Sequence, residues 1–368
     1  MDVNELFHYN GLGRNEFSII KNSRKDKRMY PKTINVIQQL VEDEVIPGAS
    51  FGFIKNNEQA TYREGLSAIV PNREALKENQ LYDIASLTKV LLTTTIILQL
   101  WQEEKLDPAD KVSDYLTDFP SKEVTLRHLL THTSGIEGYI PNRDALSASE
   151  LKEAILHLPV GKIFDKEVRY TDTGFILLGF IIEAIEKTTL VNVFANRISG
   201  PLNLNDSSYH PRDKEMCVPT EWNSKRGMIR GEVHDPKAYI LGDHCGSAGL
   251  FSTLTDCLTF SQMMLNQGEL NGKRILNQKT VLSLLGDWTP TGKLNRSLGW
   301  DLKTRGTKNY LFHTGFTGTF IVLDILGKEA FVFLSNRVHP TNTNKSDYLN
   351  QRDRLVECYL TEKEAMNH

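Results

Sequence analysis

A serine three residues ahead of a lysine can support nucleophilic chemistry when both lie on a helix, because positions i and i+3 share a face. The pattern occurs three times, at Ser18–Lys21, Ser86–Lys89 and Ser149–Lys152. Ser18 lies in a polar N-terminal stretch with no apolar surround. Ser149 precedes an amphipathic segment and reads as a helix N-cap. Ser86 differs, because it follows Leu81-Tyr82-Asp83-Ile84-Ala85 and opens the apolar run Val90 to Leu98. A helix that apolar is buried. Burial disfavours an ammonium, so the expectation is a lowered pKa for Lys89 and a base within reach of the Ser86 hydroxyl. The first amides of that helix would supply an oxyanion donor. The competing reading is an N-cap serine followed by a lysine whose stem packs while its head reaches water.

Two further segments weigh on that choice. Arg169-Tyr170-Thr171-Asp172-Thr173-Gly174-Phe175 places a phenol and a carboxylate two residues apart, just ahead of a helical pattern. Leu311-Phe312-His313-Thr314-Gly315-Phe316-Thr317-Gly318 ends one strand pattern and starts another, with a glycine that lets a substrate approach the backbone. Other candidates carry less. His128 and His132 have a metal-ligand spacing, but the glutamate of a His-Glu-x-x-His motif is missing, so no metal and no cofactor is expected. Cys245 beside His244 reads as a loop feature, since adjacent side chains point apart. No Gly-x-Ser-x-Gly, Walker or dinucleotide glycine pattern occurs.

The elements that must position these residues follow from periodicity. Apolar steps of three and four over 31–45 predict a helix closed before Pro47-Gly48. Alternating segments at 49–55 and 59–65, joined by Asn56-Asn57, predict a β-hairpin. From Ser86 to Phe260 the pattern is mostly helical, including 90–102, 126–131, 149–156, 173–186, 190–197 and 256–266. Strand patterns return at 309–313, 319–325 and 330–336, and a last helix is expected over 347–360. The expected organisation is a polar extension at 1–29, a sheet-containing α/β domain from 30–85 and 261–368, and a mostly helical domain over 86–260. In α+β terms, one antiparallel sheet is begun by the N-terminal part and completed by the C-terminal part.

Composition bounds the function. Of 368 residues, 43 are basic and 46 acidic, a formal net charge of −3, without the basic excess of a nucleic-acid binder. The basic run Lys21 to Arg28 reads as a solvated stretch. Four scattered cysteines without CxxC spacing read as free thiols. No signal-peptide or transmembrane pattern is present, which predicts a cytoplasmic protein, or an extracellular one had a leader been removed. Oligomeric state is not legible.

Taken in order, the Ser86, Tyr170 and His313 segments resemble those of the serine β-lactamase and penicillin-binding-protein superfamily, specifically its class C-like branch. That branch holds class C β-lactamases, D,D-carboxypeptidases, D-aminopeptidases and β-lactamase-fold esterases. The resemblance extends over about residues 31–360 and includes Gln99–Ile136, Gly200–Leu204 and Ala248–Thr253. It implies a β-lactamase/transpeptidase-like fold, Ser86 as the acylated nucleophile, Lys89 as its lysine, and Tyr170 as proton relay. It also implies an oxyanion hole from the N–H groups of Ser86 and Phe316, with His313-Thr314-Gly315 matching the Lys-Thr-Gly motif. Two departures stand out. Asp172 replaces an asparagine whose amide donates to the substrate, and it could instead pair with Lys89 and raise the lysine's pKa. His313 replaces a lysine that attracts a carboxylate. Both favour an esterase or peptidase of D,D-carboxypeptidase or D-amino-acid type, acting on a small-molecule or peptide acyl substrate, over a β-lactamase. The other class of reading is a non-catalytic member used for ligand sensing or protein contact.

Overall fold

Side-chain alternation along the long strands decides which face of the sheet meets which helices. The computed structural model describes residues 28–366. Its sheet contains β1 (Gly48–Lys55), β2 (Glu58–Ala68), β3 (Glu74–Ala75), β4 (Asp301–Arg305), β5 (Lys308–Thr314), β6 (Phe320–Asp324) and β7 (Glu329–Ser335). The order is β4-β5-β6-β7-β1-β2-β3, with every neighbour antiparallel. Phe51 pairs with Phe333 and Phe53 with Phe331, so the two ends of the chain join at the centre of the sheet. Asn56 and Asn57 both take positive φ (51° and 70°) and turn β1 into β2, the type of turn that matches strand twist.

Five helices matter for the argument: α1 (Pro31–Glu42), α2 (Thr95–Gln102), α3 (Thr173–Glu186), α4 (Leu254–Leu265) and α5 (Lys345–Met366). Phe51, Phe53, Phe312, Phe331 and Phe333 point to one side of the sheet and share a core with Ile34 and Ile37 of α1 and Leu355 and Tyr359 of α5. Glu362 of α5 accepts hydrogen bonds from the Lys32 and Thr33 amides, capping the exposed donors at the start of α1. Ile54, Leu311, Ile321, Val332 and Leu334 point the other way, into a core that continues through α2, α3 and α4. His313 lies two residues beyond Leu311 on β5, so it faces the helical side too. Sheet placement thus delivers it to the site.

Several expectations shift on inspection. Most of the extension at 1–29, including Ser18 and nearly all of the basic run, lies outside the described residues. The expected domain boundary at 260/261 falls inside α4, which packs on β1 and β7. Strand β4 was not expected: it is an edge strand, Asp-Leu-Lys-Thr-Arg, with one buried side chain and three half-buried charged ones. Ser149 is not an N-cap. Ser147 caps that helix, accepting from the Glu150 amide while Glu150 accepts from the Ser147 amide. The four cysteines are unpaired. No helix among the described residues is long and apolar enough to cross a membrane.

Candidate active site

Ser86 sits on a short turn that its neighbours hold in an unfavourable conformation. Tyr82–Asp83 pairs with Phe251–Ser252, and a 3₁₀ turn over Ala85–Leu87 follows. Ala85 has φ = 47°, a region that costs a residue with a Cβ about 1 kcal/mol or more. Asp83 stabilises it: one carboxylate oxygen accepts the Ala85 amide at 2.9 Å and the other the His234 amide at 2.7 Å. The turn between β5 and β6 closes from the other side. Thr317 Oγ1 donates to the Asp83 carbonyl (2.7 Å) and Thr319 Oγ1 to the Ile84 carbonyl (3.1 Å). A Cβ on Gly315 would stand 2.5 Å from the Ile84 carbonyl oxygen and 3.3 Å from Ala85 Cβ, so only glycine fits. Phe316, the next residue, is thereby brought beside the Ser86 turn.

After Thr88 the chain winds as a π-helix over Lys89–Thr94 before continuing as α2. Threonines of the apolar run hydrogen-bond to backbone both inside the wide turn and across from it. Thr95 Oγ1 donates to the Val90 carbonyl at 2.8 Å and Thr93 Oγ1 to the Gly246 carbonyl at 2.6 Å. Lys89 is fully buried here. Its ammonium donates to Ser86 Oγ (2.8 Å), Asp172 Oδ1 (2.8 Å) and the Ser247 carbonyl (2.9 Å). Three acceptors match three N–H groups, which is the arrangement of a charged lysine. Burial alone would push Lys89 down, but Asp172, and after it Tyr170, outweigh burial and hold its pKa well above the usual lysine value. The expectation of a lowered pKa is therefore corrected, in favour of the other reading, in which Asp172 pairs with Lys89 and raises it. The partner that reverses it lies 83 residues away.

Asp172 begins α3 and bridges two cations, with Lys89 on Oδ1 and Lys237 on Oδ2, each at 2.8 Å. Burial would raise its pKa; Lys89 and Lys237 outweigh that and hold the carboxyl well below the usual range. Lys237 follows Asp235, which caps the local helix through the Lys237 and Ala238 amides. Tyr170 is set by His132: the Arg169 amide donates to the His132 carbonyl at 2.9 Å, and the two rings lie 4.5 Å apart. Tyr170 is 47% exposed, and Lys89 Nζ stands 5.1 Å from its ring centroid. His313 is buried, 6.2 Å from the same ring, with Nδ1 on the Thr314 carbonyl at 3.1 Å. Burial, with Arg296 and Lys89 nearby, pushes the His313 pKa well down, so this imidazole is neutral.

The structure thus brings Ser86, Lys89, Tyr170, Asp172 and His313-Thr314-Gly315-Phe316 to one place. It adds Asp83, His132, Lys237 and Arg296, which sequence reasoning had not assigned to the site. His128, the other half of the metal-like spacing, turns away to Asp165 at 2.8 Å. The arrangement is a serine hydroxyl hydrogen-bonded to a charged amine, beside a half-exposed phenol.

Known proteins resemble this chain in sequence and in fold. The family model described as Beta-lactamase matches residues 33–355. A provisionally named D-alanyl-D-alanine carboxypeptidase of Escherichia coli (strain K12) is 28% identical, covering 88% of this chain and 87% of the relative. The N-acetylmuramyl-L-alanine amidase of Bacillus subtilis (strain 168) is 27% identical over 84% and 82% of the two chains. Among solved structures, a class C β-lactamase mutant superposes with TM-score 0.72 at 19% identity, over 90% of this chain and 97% of that one. EstCE1, a hydrolase with promiscuous acyltransferase activity, gives 0.70 at 17% identity, over 88% and 97%. The fold is that of these proteins, and with the family model spanning nearly the whole described chain, the protein belongs to the β-lactamase family of serine hydrolases.

Proposed function

We propose that this protein hydrolyses esters or peptides through an acyl-enzyme on Ser86. The observation that carries the reading is the hydrogen bond from a buried, charged Lys89 to Ser86 Oγ. Ser86 Oγ attacks the substrate carbonyl, and its proton passes to the Tyr170 oxygen, which serves as the base in its deprotonated form beside the Lys89 ammonium. The oxyanion is met by the Ser86 and Phe316 amides, and the pair returns the proton to the leaving group. Water then releases the acyl group by the reverse path. The names of the relatives, a carboxypeptidase, an amidase and an esterase-like hydrolase, support an ester or peptide carbonyl as the target. Asp172 supports the same choice over a β-lactam, because an ionised carboxylate cannot replace an amide donor to the substrate. Treatment with a fluorophosphonate should add one adduct mass at Ser86. The Ser86→Ala variant should lose the adduct and at least about 10³-fold of p-nitrophenyl butyrate turnover. An unlabelled Ser86, with turnover untouched in the variant, would refute the reading.

A further inference from the structure

Hydrogen-bond donors that outnumber the acceptors around them mark a place for an anion. Such a surplus lies on the helical side of β2. Arg63 pairs with Ser50 and Thr61 with Gly52, so these four share one face of the sheet. Gly52 lets α4 come close, since a Cβ there would stand 2.9 Å from Leu258 Cδ1. Further out, Leu254 and Thr255 in the first turn of α4, the loop at 77–80 and the Arg63 side chain enclose a pocket of about 270 Å³ that shares no residue with the active site. Ser50 and Gln80, which line it, are both buried. Gln80 Oε1 accepts the Lys77 amide at 2.8 Å, and Asn79 Oδ1 accepts from Thr255 Oγ1 at 3.3 Å. Both side-chain oxygens are thereby taken. Both NH₂ groups remain as donors, and neither has an acceptor among the described residues. The Arg63 guanidinium makes no hydrogen bond among the described residues either. Glu78 Oε1 lies 3.6 Å from it, on a side chain 68% exposed. Lys77 brings a second cation. Two cations and two amides thus face one outward-lying carboxylate.

We propose that this pocket is a second binding site, separate from the Ser86 cleft, and that it takes a phosphate group. Arg63 forks onto two phosphate oxygens, while Lys77 and the Gln80 and Asn79 amides meet the remaining lone pairs. A carboxylate, with about four lone-pair sites, would leave part of this donor set unused. A phosphate, with three acceptor oxygens and a charge of about −1.5 to −2, matches it. One water needs about 10–15 Å³ of such volume, so the pocket has room for a short carrier beside the anion.

Isothermal titration calorimetry on the full chain tests this with glycerol phosphate, inorganic phosphate, lactate and glycerol. Glycerol phosphate should bind, and glycerol should not. Tighter binding of glycerol phosphate than of inorganic phosphate identifies a phosphate ester as the ligand, and equal binding identifies the free anion; both support the site. Arg63→Gln should weaken glycerol phosphate by about 10- to 100-fold, the scale of a charge-assisted hydrogen bond. Lys77→Gln should weaken it less. Glu78→Gln should tighten it about two- to fivefold, because it removes an exposed like charge. Arg63 holds no hydrogen bond in the fold, so Arg63→Gln should melt, and turn over p-nitrophenyl butyrate, as the wild type does. Absence of binding by either phosphate overturns the proposal. So does lactate binding as tightly as glycerol phosphate, or an affinity that Arg63→Gln leaves untouched. Should Arg63→Gln fail to fold, Glu78→Gln decides alone: its side chain is exposed, and unchanged or weaker binding there overturns the site.

Discussion

At the scale of residues, Lys89 is understood through what surrounds its three hydrogens. Asp172 is the acceptor that holds its charge, so Asp172→Asn should release it. A buried and a half-buried ammonium would then face each other with no carboxylate between them, and Lys89 would lose its proton at lower pH. The alkaline limb of kcat/KM should move down by about one pH unit or more in Asp172→Asn. An unmoved limb would show that Lys89 owes its charge to something else. Stability carries a matching signature. The Asp172 pKa is depressed by folding, so its stabilisation is present above about pH 4, the unfolded carboxyl value, and fades as pH falls toward the folded one. The Lys89 pKa is raised, so its share is full below about pH 10 and fades above it. The melting-temperature gap between wild type and Asp172→Asn should therefore be widest between those limits and shrink in acid. Much of this site was legible in the sequence, because Ser86, Tyr170 and His313 each sit in a short segment with its own punctuation. Lys237 and Arg296 were not: each is a lone basic residue in an ordinary stretch, and only the fold brings it near. His132 stood out only as half of a metal-like spacing, and its place beside Tyr170 comes from the fold. For the Lys89 pKa two readings stood side by side: burial, written locally in the apolar run, pointed down, and pairing with Asp172, which depends on a residue 83 positions away, pointed up and prevails.

Among elements, the turn linking β5 to β6 does the most for the site. Its tip touches the Ser86 turn through Thr317, Thr319 and the absent side chain of Gly315. Adding a methyl group there forces the tip off the Ile84 carbonyl. Gly315→Ala should cost about 1–3 kcal/mol of stability. It should also cost on the order of 10²-fold in kcat/KM, because displacing the Phe316 amide by about 1 Å misaligns the oxyanion donors. Denaturant melts beside steady-state kinetics check both figures; a folded variant with unimpaired turnover would detach the turn from catalysis. The strands that build this turn were readable because β5, β6 and β7 are interior strands with aromatic and aliphatic runs buried on both faces. Edge strand β4 was not, since an edge needs only one buried side chain. The π-helical start of α2 was hidden as well. Its threonines look like ordinary members of an apolar helix until their bonds to Val90 and Gly246 appear.

For the whole molecule, the question is whether the sheet part and the helical part are separable. The pattern of strands around a helical stretch suggested two domains, and the alternation of β1 and β5–β7 argues for one folding unit. One face of the sheet is continuous with the core of α2, α3 and α4. Scanning calorimetry should therefore give a single endotherm whose calorimetric and van't Hoff enthalpies agree. Two resolved transitions would make the halves independent.

One contact carries a consequence for turnover. Tyr348, in the last helix, donates its hydroxyl proton to the Gly318 carbonyl, at the base of the turn that presses on Ser86. β1, close to the start of the described chain, finds its central partner only when β7 is made. The proposed nucleophile thus comes early in the described chain, while the contact that braces the turn against it comes late, from α5. Tyr348→Phe, which removes that one hydrogen bond, should therefore lower turnover more than it lowers the melting temperature.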